Sequence, residues 1–491
     1  MPFSRDEVGK KIVYVHASNN DDYLDIYFPQ LSSQNIYLSI RNTFYGELAY
    51  SKINQMRLRT HGGDDLVEVR ANSNRVKSHP MTVWGGDGDD NIKGGTGANI
   101  LRGGNGKDTL LGGPSNDTLD GGADDDTLSG GLGNDSVNGG AGLNIINEAA
   151  ETNFVLTNTK MTGLGTDSLS NLQVANLSVV GGTKARSITV TGWTGYGKLY
   201  GNAANTSVIA IKDANFLFNE SILETTDGMS MLLNGISSVS LTGGNSDNTF
   251  TIGGLPYATW NGAATLSGGR GNDTFQVTGW TGGGSVSGSS GTDKIIMTQD
   301  DDMTLTNNSL TVSRIKPIKL SAVENAELAG GYSSNRLNAG AFTLGSVILF
   351  GAEGSDVLIG GTGKDSLFGG SDRDLLIGGG GVDLLSGELG EDILIGGTYS
   401  LYTSASAVSS IMSEWQDALP GYYDHYERRI NNLLNGGGLN GSITLSKKNL
   451  RKDPKAVDTV IGGADLDWFV EFPGDVLTDL DVIAGERKTT I

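Results

Sequence analysis

The sequence is dominated by a nine-residue unit that repeats without a gap. Seven copies of the pattern GGxGxDxUx, in which U is a large apolar residue, run from Gly85 to Asn147, and five more run from Gly351 to Ile395. Residues 456–461 and 462–470 continue the second series after an interruption. Units this short cannot bury a core alone, so they predict a solenoid in which each unit packs on its neighbours.

Each position of the unit has a physical role. Glycine at positions 1, 2 and 4 permits the positive φ values of a tight turn and leaves carbonyl oxygens facing a common point. Position 6 adds a carboxylate, and Ca²⁺ prefers six to eight oxygen ligands at about 2.3–2.6 Å. Positions 7–9 predict a short strand with one large apolar side chain pointing inward. The inward side chains are Ile92, Leu101, Leu110, Leu119, Leu128, Val137 and Ile146, then Leu358, Leu367, Leu376, Leu385 and Leu394.

The unit resembles the calcium-binding nonapeptide of RTX proteins, also called hemolysin-type calcium-binding proteins. The resemblance covers residues 85–147 and 351–470, and it implies an all-β fold, a parallel β-roll or β-helix solenoid. Calcium ligands are expected at the position 6 aspartates and at turn glycines. The predicted ligands are Asp90, Asp108, Asp117, Asp126, Asp135, Gly86, Gly88, Gly104, Gly106, Asp273, Asp356, Asp365, Asp374, Asp383, Asp392, Gly361, Gly363, Asp458 and Asp467.

Two units per turn of a flattened coil place alternate repeats on the same edge, which predicts two columns of sites in each block. The first block should carry Asp90, Asp108, Asp126 and Asn144 on one edge and Asn99, Asp117 and Asp135 on the other. The second should carry Asp356, Asp374, Asp392 and Asp467 opposite Asp365, Asp383 and Asp458. We expect weaker or missing ions at the asparagines.

The charge balance agrees with a cation ligand. The 56 acidic and 35 basic residues give a net charge of −21, which argues against nucleic acid or anionic membrane as a partner. One buried side chain per strand contributes roughly 1.5–3 kcal/mol, less than the cost of about 1–2 kcal/mol for ordering each of nine backbones. We therefore expect folding to require several Ca²⁺ ions, about ten in all.

The other segments look like degenerate relatives of the repeats. Three segments of similar length begin at Asn153, Asn215 and Asp302, each opening on alternating apolar residues and closing on Gly-Gly, and they predict wider parallel coils with fewer ions. The predicted organisation is 1–84 degenerate solenoid coils, 85–147 first β-roll, 148–350 degenerate β-helix modules, 351–397 second β-roll, 398–455 helical hairpin insertion, and 456–491 last repeats with the C-terminal segment.

The insertion carries a strong helical period. Val408, Ile411, Met412, Trp415 and Leu419 follow helical spacing, Pro420 and Gly421 break it, and Tyr423, Tyr426, Ile430, Leu433 and Leu434 resume it. The hairpin leaves the roll at Gly396-Gly397 and returns so that Asp458 completes the same turn. It is interpreted either as a cap on the solenoid flank or as a binding or processing element.

Known catalytic motifs are missing. Among four histidines none lies in HExxH, no GxSxG occurs, and GWTGYGK at Gly192 lacks the Ser/Thr of a phosphate loop. Charged residues at 414–428 could hold an acid/base pair but are typical of a helix surface. Trp193 and Trp280, each in TGWTG, could stack on sugars or form a repeated coil corner. We expect no enzymatic activity.

The RTX resemblance also implies a location. Residues 475–486, DVLTDLDVIAGE, look like the segment that follows the repeats in that family, which implies type I secretion from a Gram-negative bacterium and folding outside the cell. No apolar run of 18 residues predicts a membrane span. The expected function is a secreted, calcium-binding structural or adhesive protein whose partner is a cell-surface glycan or matrix polymer. A polysaccharide-active lyase or epimerase, and a secretion and folding aid for a fused partner, are the alternatives.

Overall fold

Short parallel strands stacked coil upon coil make up the protein. The computed structural model describes residues 12–28, 35–40, 43–49, 53–71, 79–202, 205–253, 260–417, 425–453, 456–480 and 486–491. The chain forms two compact units, unit 1 with Met1–Lys212 and Ser221–Ser240, and unit 2 with Asp213–Glu220 and Leu241–Ile491. This architecture confirms the predicted all-β solenoid with a small helical insertion.

In unit 1 the strands form two ladders on opposite sides of the coil. One ladder contains Ile12–His16, Gln55–Gly62, Met81–Asp87, Ile100–Asn105, Thr118–Ala123, Ser136–Gly140, Phe154–Leu156, Lys160–Thr162, Thr166–Ser170, Arg186–Thr191 and Thr206–Ile211. The other contains Tyr23–Phe28, Asn35–Ile40, Thr43–Ala49, Leu66–Ala71, Asn91–Lys93, Thr109–Gly113, Thr127–Gly131, Ile145–Ala150, Val174–Val179, Tyr196–Tyr200, Ile222–Thr225 and Ser230–Asn234.

Unit 2 has the same two-ladder construction. One ladder contains Ala263–Arg270, Gly284–Ser290, Met303–Thr306, Ser309–Val312, Ile318–Ser321, Arg336–Ala341, Val357–Ile359, Leu375–Ile377, Ile393–Ile395, Trp468–Glu471 and Arg487–Thr490. The other contains Phe216–Asn219, Thr249–Ile252, Thr274–Val277, Lys294–Thr298, Asn325–Ala329, Val347–Ala352, Ser366–Ser371, Leu384–Leu389, Thr459–Ala464 and Val476–Leu477. The strand Ser238–Thr242 includes the point in the sequence, after Ser240, where the chain passes from unit 1 to unit 2. The short strand Thr398–Tyr399 pairs with Leu450–Arg451 at the base of the insertion.

The repeat period sets the strand register. Leu110 pairs with Leu128 in one ladder and Leu119 with Val137 in the other, so residues two repeats apart stand side by side. Their side chains point between the ladders and are at most 1% exposed. Every coil thus places one large apolar side chain from each ladder in a narrow core, which is what a period of two nonapeptides per coil requires.

The longer coils contain antiparallel strands that the sequence reading did not include. Phe154–Leu156, Lys160–Thr162 and Thr166–Ser170 pair antiparallel in succession, and Met303–Thr306, Ser309–Val312 and Ile318–Ser321 do the same. The outer two strands of each set also pair in parallel with neighbouring coils. The extra residues are therefore a folded-back strand, and the expectation of simply wider parallel coils was wrong.

The insertion forms two helices, α1 (Ala405–Trp415) and α2 (His425–Asn435). Ser404 caps α1, because its side chain accepts a hydrogen bond from the backbone N–H of Ala407. The predicted apolar positions Val408, Ile411 and Trp415 are buried on α1. On α2, Tyr426, Ile430 and Leu433 are buried as well. Leu419, Pro420, Gly421 and Tyr423 lie outside the described residues.

Both helices pack on the outer face of one ladder of the second repeat block. The strands Val357–Ile359, Leu375–Ile377 and Ile393–Ile395 are buried at all three residues, and their outward side chains share one apolar cluster with α1 and α2. The expectation of a single buried apolar side chain per strand was wrong here. Outward residues such as Ile377 are covered by the hairpin, as a cap on the flank requires.

Neither α1 nor α2 has the length and apolar composition needed to cross a bilayer, and the same is true of any helix in the part of the chain that the structure describes.

Candidate calcium sites

The position 6 side chains line up along the edges of the coils. The backbone N–H of Asp90 donates to Oδ1 of Asp108 at 2.8 Å, and that of Asp108 donates to Oδ1 of Asp126 at 2.8 Å. The columns in unit 1 are Asp22, Asp65, Asp90, Asp108, Asp126 and Asn144, and Asn99, Asp117, Asp135 and Asp167. The columns in unit 2 are Asn248, Asp273 and Asp293, then Asn335, Asp356, Asp374, Asp392 and Asp467, then Asp365, Asp383, Asp458 and Asp475.

The second oxygen of most of these carboxylates has no protein partner. Oδ2 is buried and without a hydrogen bond among the described residues at Asp65, Asp90, Asp108, Asp117, Asp126, Asp135, Asp273, Asp293, Asp356, Asp374, Asp383, Asp392 and Asp467. A buried polar atom without a partner costs about 1–3 kcal/mol, and more when it is charged. The donor sets thus fit Ca²⁺, which binds carboxylate oxygens and supplies the positive charge they require.

Glycine at position 1 keeps the space beside Oδ2 open. A Cβ at Gly103 would collide with Oδ2 of Asp108 and would lie 2.5 Å from the carbonyl oxygen of Gly121, the equivalent glycine one coil later. Gly121 repeats this arrangement with Asp126. A carboxylate oxygen and a backbone carbonyl therefore face the same small space. This space, and not a positive φ as the sequence reading had it, is why position 1 must be glycine.

Glycines at positions 2 and 4 have the backbone conformation expected of them. The φ values are +131° at Gly86, +117° at Gly88, +136° at Gly104 and +114° at Gly106. A Cβ at Gly104 would also collide with the carbonyl oxygen of Gly86 in the coil before. Both the left-handed φ and the stacking of turns at this distance exclude side chains.

The predicted site at Asp365 differs from those in which Oδ2 has no partner among the described residues. The N–H of Gly361 donates to Oδ2 of Asp365 at 2.6 Å, and neither Gly361 nor Gly363 has a positive φ. Both carboxylate oxygens of Asp365 are therefore hydrogen-bonded, because its Oδ1 accepts from Val347. To bind an ion, this carboxylate would have to give up a short hydrogen bond, so we expect a weaker site.

Some turns supply their own donors in place of a cation. Nδ2 of Asn99 donates to the carbonyl oxygens of Gly95 and Gly112 at 3.1 and 3.2 Å. Oδ1 of Asn248 accepts the N–H of Gly244 at 2.8 Å, and Asn335 does the same with Gly331. The asparagine amides thus hydrogen-bond turn backbone groups that, in the aspartate repeats, lie near the free Oδ2. We therefore still expect weak or missing ions at the asparagines.

Asp65 has the same geometry as the predicted sites although it was not among them. Its motif reads THGGDDLVE, in which Thr60 takes position 1 and the glycines are shifted by two places, so the GGxGxD template does not match. The hydroxyl of Thr60 donates to the carbonyl oxygen of Gly85 at 2.6 Å. The signal that would have found Asp65 is the triplet Leu66-Val67-Glu68 after it, which matches the short strand of the repeat with Val67 as its buried apolar residue.

Burial shifts the titration of the column carboxylates. Burial, together with the charges of Asp90 and Asp126, raises the pKa of Asp108 to about 8. The hydrogen bond from the backbone N–H of Asp90 lowers this pKa, but by less. The pKa of Asp374 rises to about 10 from burial and from the charge of Asp392. Without a cation these groups hold protons at neutral pH, so Ca²⁺ binding must release protons.

Metal-free protein should therefore be more stable in mild acid than at neutral pH. Raised carboxyl pKa values mean that the folded state binds more protons than the unfolded state between about pH 4 and pH 8, so stability falls as the pH rises through that window. We expect the melting temperature in EGTA to decrease from pH 5 to pH 8, and the melting temperature in saturating Ca²⁺ to show the opposite trend. Differential scanning fluorimetry across this range measures both, and a rising metal-free curve would contradict the titration.

Metal binding by side chains alone has no support. Among the described residues no group of three or more His, Asp or Glu side chains is placed to hold an ion. The candidate sites instead combine carboxylates with backbone carbonyls. Any account of calcium binding in this chain must therefore include the turn backbone.

The other residues singled out from the sequence have structural roles. Trp193 and Trp280 are 1% exposed, which excludes sugar stacking and agrees with a repeated coil corner. Glu414 is buried and accepts from Asn432 and from the N–H of Leu439. Asp417 accepts from Arg428. These contacts hold the hairpin together, and Asp424 lies outside the described residues.

Comparison with known families identifies the repeats. The RTX calcium-binding nonapeptide repeat matches residues 84–119, 111–146, 261–276, 350–385 and 368–398. No curated protein shows significant similarity to the chain. The two repeat blocks, together with the isolated copy in the middle of the chain, are thus RTX calcium-binding repeats.

Proposed function

We propose that this calcium-binding β-roll protein is secreted, that its repeats fold when they bind Ca²⁺ outside the cell, and that it has a structural or adhesive role at the cell surface or in the extracellular matrix. RTX repeats usually occur in secreted proteins, which supports this location. Calcium is millimolar outside bacteria and scarce inside, so a fold that depends on Ca²⁺ would form after export.

The observation that carries the proposal is the row of buried Oδ2 atoms without partners. Most coils of the two repeat blocks contain such an oxygen, and in the first block it lies beside a turn carbonyl, as at Asp108 and Gly121. The folded turns bring like charges together, which opposes folding until cations enter. About ten Ca²⁺ ions would offset most of the net charge of −21. Ion binding then supplies free energy of folding, as it does in other metal-dependent domains.

Counting bound calcium tests this proposal and its residue assignments. After equilibrium dialysis in millimolar Ca²⁺, elemental analysis should find about ten ions per chain. Asp374→Asn should lose at least one ion, because it removes the charge of a carboxylate whose Oδ2 has no other partner among the described residues. Asp365→Asn is the matched control, with the same chemical change at a carboxylate already hydrogen-bonded by Gly361. An unchanged count in Asp374→Asn, or a total near zero, would contradict the proposal.

We propose no enzymatic activity. An open cleft of about 670 Å³ in unit 2 is lined by Asp372, Arg373, Glu391, Gln416 and Asp465, among others. Its arginine is paired with Glu391 at 2.7 Å, so the cleft does not offer a free basic group to a uronate substrate. Incubation with uronate polymers should give no unsaturated product by ultraviolet absorbance, and such a product would favour the lyase alternative.

A further inference from the structure

A group of basic and aromatic side chains lies on the outer face of one ladder in unit 1. Arg59, Trp84 and Arg102 occupy the same register position in three successive coils. Tyr14 and Arg57 form a second row next to them. We call these five residues the basic face. Arg59 is exposed, and the other four are partly exposed.

Aromatic rings hold the arginines of this face in place. The guanidinium carbon of Arg59 lies 4.7 Å from the ring centroid of Trp84, and that of Arg102 lies 5.7 Å from it. Arg57 stands 5.6 Å from the Tyr14 ring and donates to its hydroxyl at 3.2 Å. Stacking occupies the flat side of a guanidinium and leaves the N–H groups on its edge free to donate.

Within the described part of the chain, these arginines have no carboxylate partner. Across the ranges that the structure describes, no Asp or Glu oxygen lies within 4.0 Å of a guanidinium nitrogen of Arg57, Arg59 or Arg102. Some other cations of unit 1 are paired, as in Lys107–Asp125 at 3.0 Å and Arg186–Glu151 at 3.4 Å, whereas the arginines of the basic face are held by aromatic rings. Acidic residues outnumber basic ones by 56 to 35, so unpaired arginines clustered on one face are unexpected.

We propose that the basic face binds a carboxylated polysaccharide, a uronate polymer. A guanidinium fork matches a planar carboxylate with two parallel hydrogen bonds. Arginines separated by two residues along a strand lie about 6.6 Å apart, and adjacent coils lie about 4.8 Å apart, so several carboxylates of one chain can be engaged together. The five residues lie on the open outer face of a strand ladder and not in a cleft. Such a surface suits binding of an extended polymer better than catalysis.

Charge complementarity favours this partner over other polyanions. Duplex DNA carries one charge per about 1.7 Å and binds through many phosphate contacts. Three arginines neutralise only a few phosphates of so dense a polyanion, too few for tight binding at physiological salt. A uronate polymer has at most one carboxylate per sugar and needs fewer cations. This inference rests on the proposed adhesive function and names the partner's chemistry.

Binding of the calcium-loaded full chain to hyaluronate, a soluble uronate polymer, tests the inference by biolayer interferometry. The double variant R59Q/R102Q should bind at least about tenfold more weakly, because two charge-assisted contacts are lost. Its matched control is K160Q/K184Q, which removes two exposed cations of unit 1 away from the face and should change affinity less than about twofold. Trp84→Leu keeps every charge but removes the stacking platform, and it should weaken binding severalfold.

The outcomes separate this inference from the proposed function. Circular dichroism with and without Ca²⁺ on the same samples shows whether calcium-dependent folding is intact. Normal folding with no hyaluronate binding, or an equal loss of affinity in both double variants, would contradict the proposed role of the basic face. Neither result would contradict calcium-dependent folding. Tighter binding of single-stranded DNA or of phosphatidylserine vesicles would also overturn it, because the partner would then belong to another class. Neutral dextran should not bind.

Discussion

Chelation of calcium with excess EGTA should unfold the repeat blocks, with loss of most of the strand signal in far-UV circular dichroism. Once the cations leave, the buried Oδ2 atoms lose their ligand, and column carboxylates such as Asp126 and Asp135, whose pKa rises only to about 6, stay charged at neutral pH without compensation. The single inward side chain per strand, as at Leu110 and Leu119, contributes roughly 1.5–3 kcal/mol and cannot offset the cost of ordering nine residues at about 1–2 kcal/mol each. Readdition of Ca²⁺ should restore the signal.

The two blocks should differ in how completely they unfold. The strands Leu375–Ile377 and Ile393–Ile395 bury three apolar side chains each and are covered by α1 and α2, whereas Thr109–Gly113 in the first block buries its apolar residue on one side only. Hydrogen exchange in EGTA should therefore be faster at 85–147 than at 351–395.

Two controls sharpen this result. Mg²⁺ should not restore the fold at equal concentration, because it demands near-ideal octahedral geometry and keeps its waters. A melting point in EGTA equal to that in Ca²⁺, with the strand signal kept, would show that metal-dependent folding is wrong for this chain.

The solenoid could be predicted because its information is local and repeated. Leu110 and Leu128 must stack when the period is two nonapeptides per coil, and the same arithmetic places Asp90, Asp108 and Asp126 on one edge. Hydrophobic spacing alone was also sufficient to predict α1 and α2 as helices.

What the sequence did not reveal depends on contacts between distant residues or on backbone direction. The N–H of Gly361 turns toward Asp365 although its repeat, GGTGKDSLF, matches the template as well as any other. Docking of the hairpin on the flank was one of two interpretations of the insertion, and the face that it covers was not predicted, yet a signal existed. The strand triplets VLI, LLI and ILI are apolar on both sides, which indicates a covered outer face, whereas NIK and TLL in the first block are not.

The basic face shows the same limit. Arg59, Trp84 and Arg102 are far apart in the sequence. Only the register of three successive coils brings their side chains together. Knowledge of the period would have sufficed within the repeats, but Arg59 precedes them, where the turn glycines are shifted. The strand register of this degenerate coil, and hence the position of Arg59 beside Trp84, could therefore be obtained only from the structure.

Replacement of Arg429 should have the largest effect of any single side chain on the hairpin. Its side chain is 2% exposed, donates to Oε2 of Glu391 on the roll and to the carbonyl oxygen of Trp415 on α1, both at 2.5 Å, and stacks 4.6 Å from the Trp415 ring centroid. Burial alone would raise the pKa of Glu391, but Arg429 and Arg373 hold this pKa below its usual range, so the carboxylate is charged.

Arg429→Ala should lower the free energy of unfolding in saturating Ca²⁺ by about 2–4 kcal/mol, because it removes one of the two arginines that pair with Glu391 and leaves the carbonyl oxygen of Trp415 without this donor. Urea unfolding followed by tryptophan fluorescence measures the loss, since Trp415 lies in the affected contact. Arg428→Ala is the matched control on the same helix. Its side chain is 36% exposed and pairs with Asp417 and, at 3.8 Å, with the buried Glu414. Glu414 keeps its hydrogen bonds from Asn432 and Leu439, so the loss of Arg428 should cost about 1–2 kcal/mol, less than that of Arg429.

A double variant separates the charge from the packing. Arg429→Ala and Glu391→Gln each remove the charge pair between these two residues, so the combined loss in the double variant should be smaller than the sum of the two single losses. Additive losses, or an Arg429→Ala effect no larger than that of Arg428→Ala, would show that apolar contacts alone hold the hairpin on the roll. If the coupling is found, the helices are held on the repeat at Glu391, which directly precedes the column residue Asp392. Detachment of the hairpin should then weaken Ca²⁺ binding at this turn.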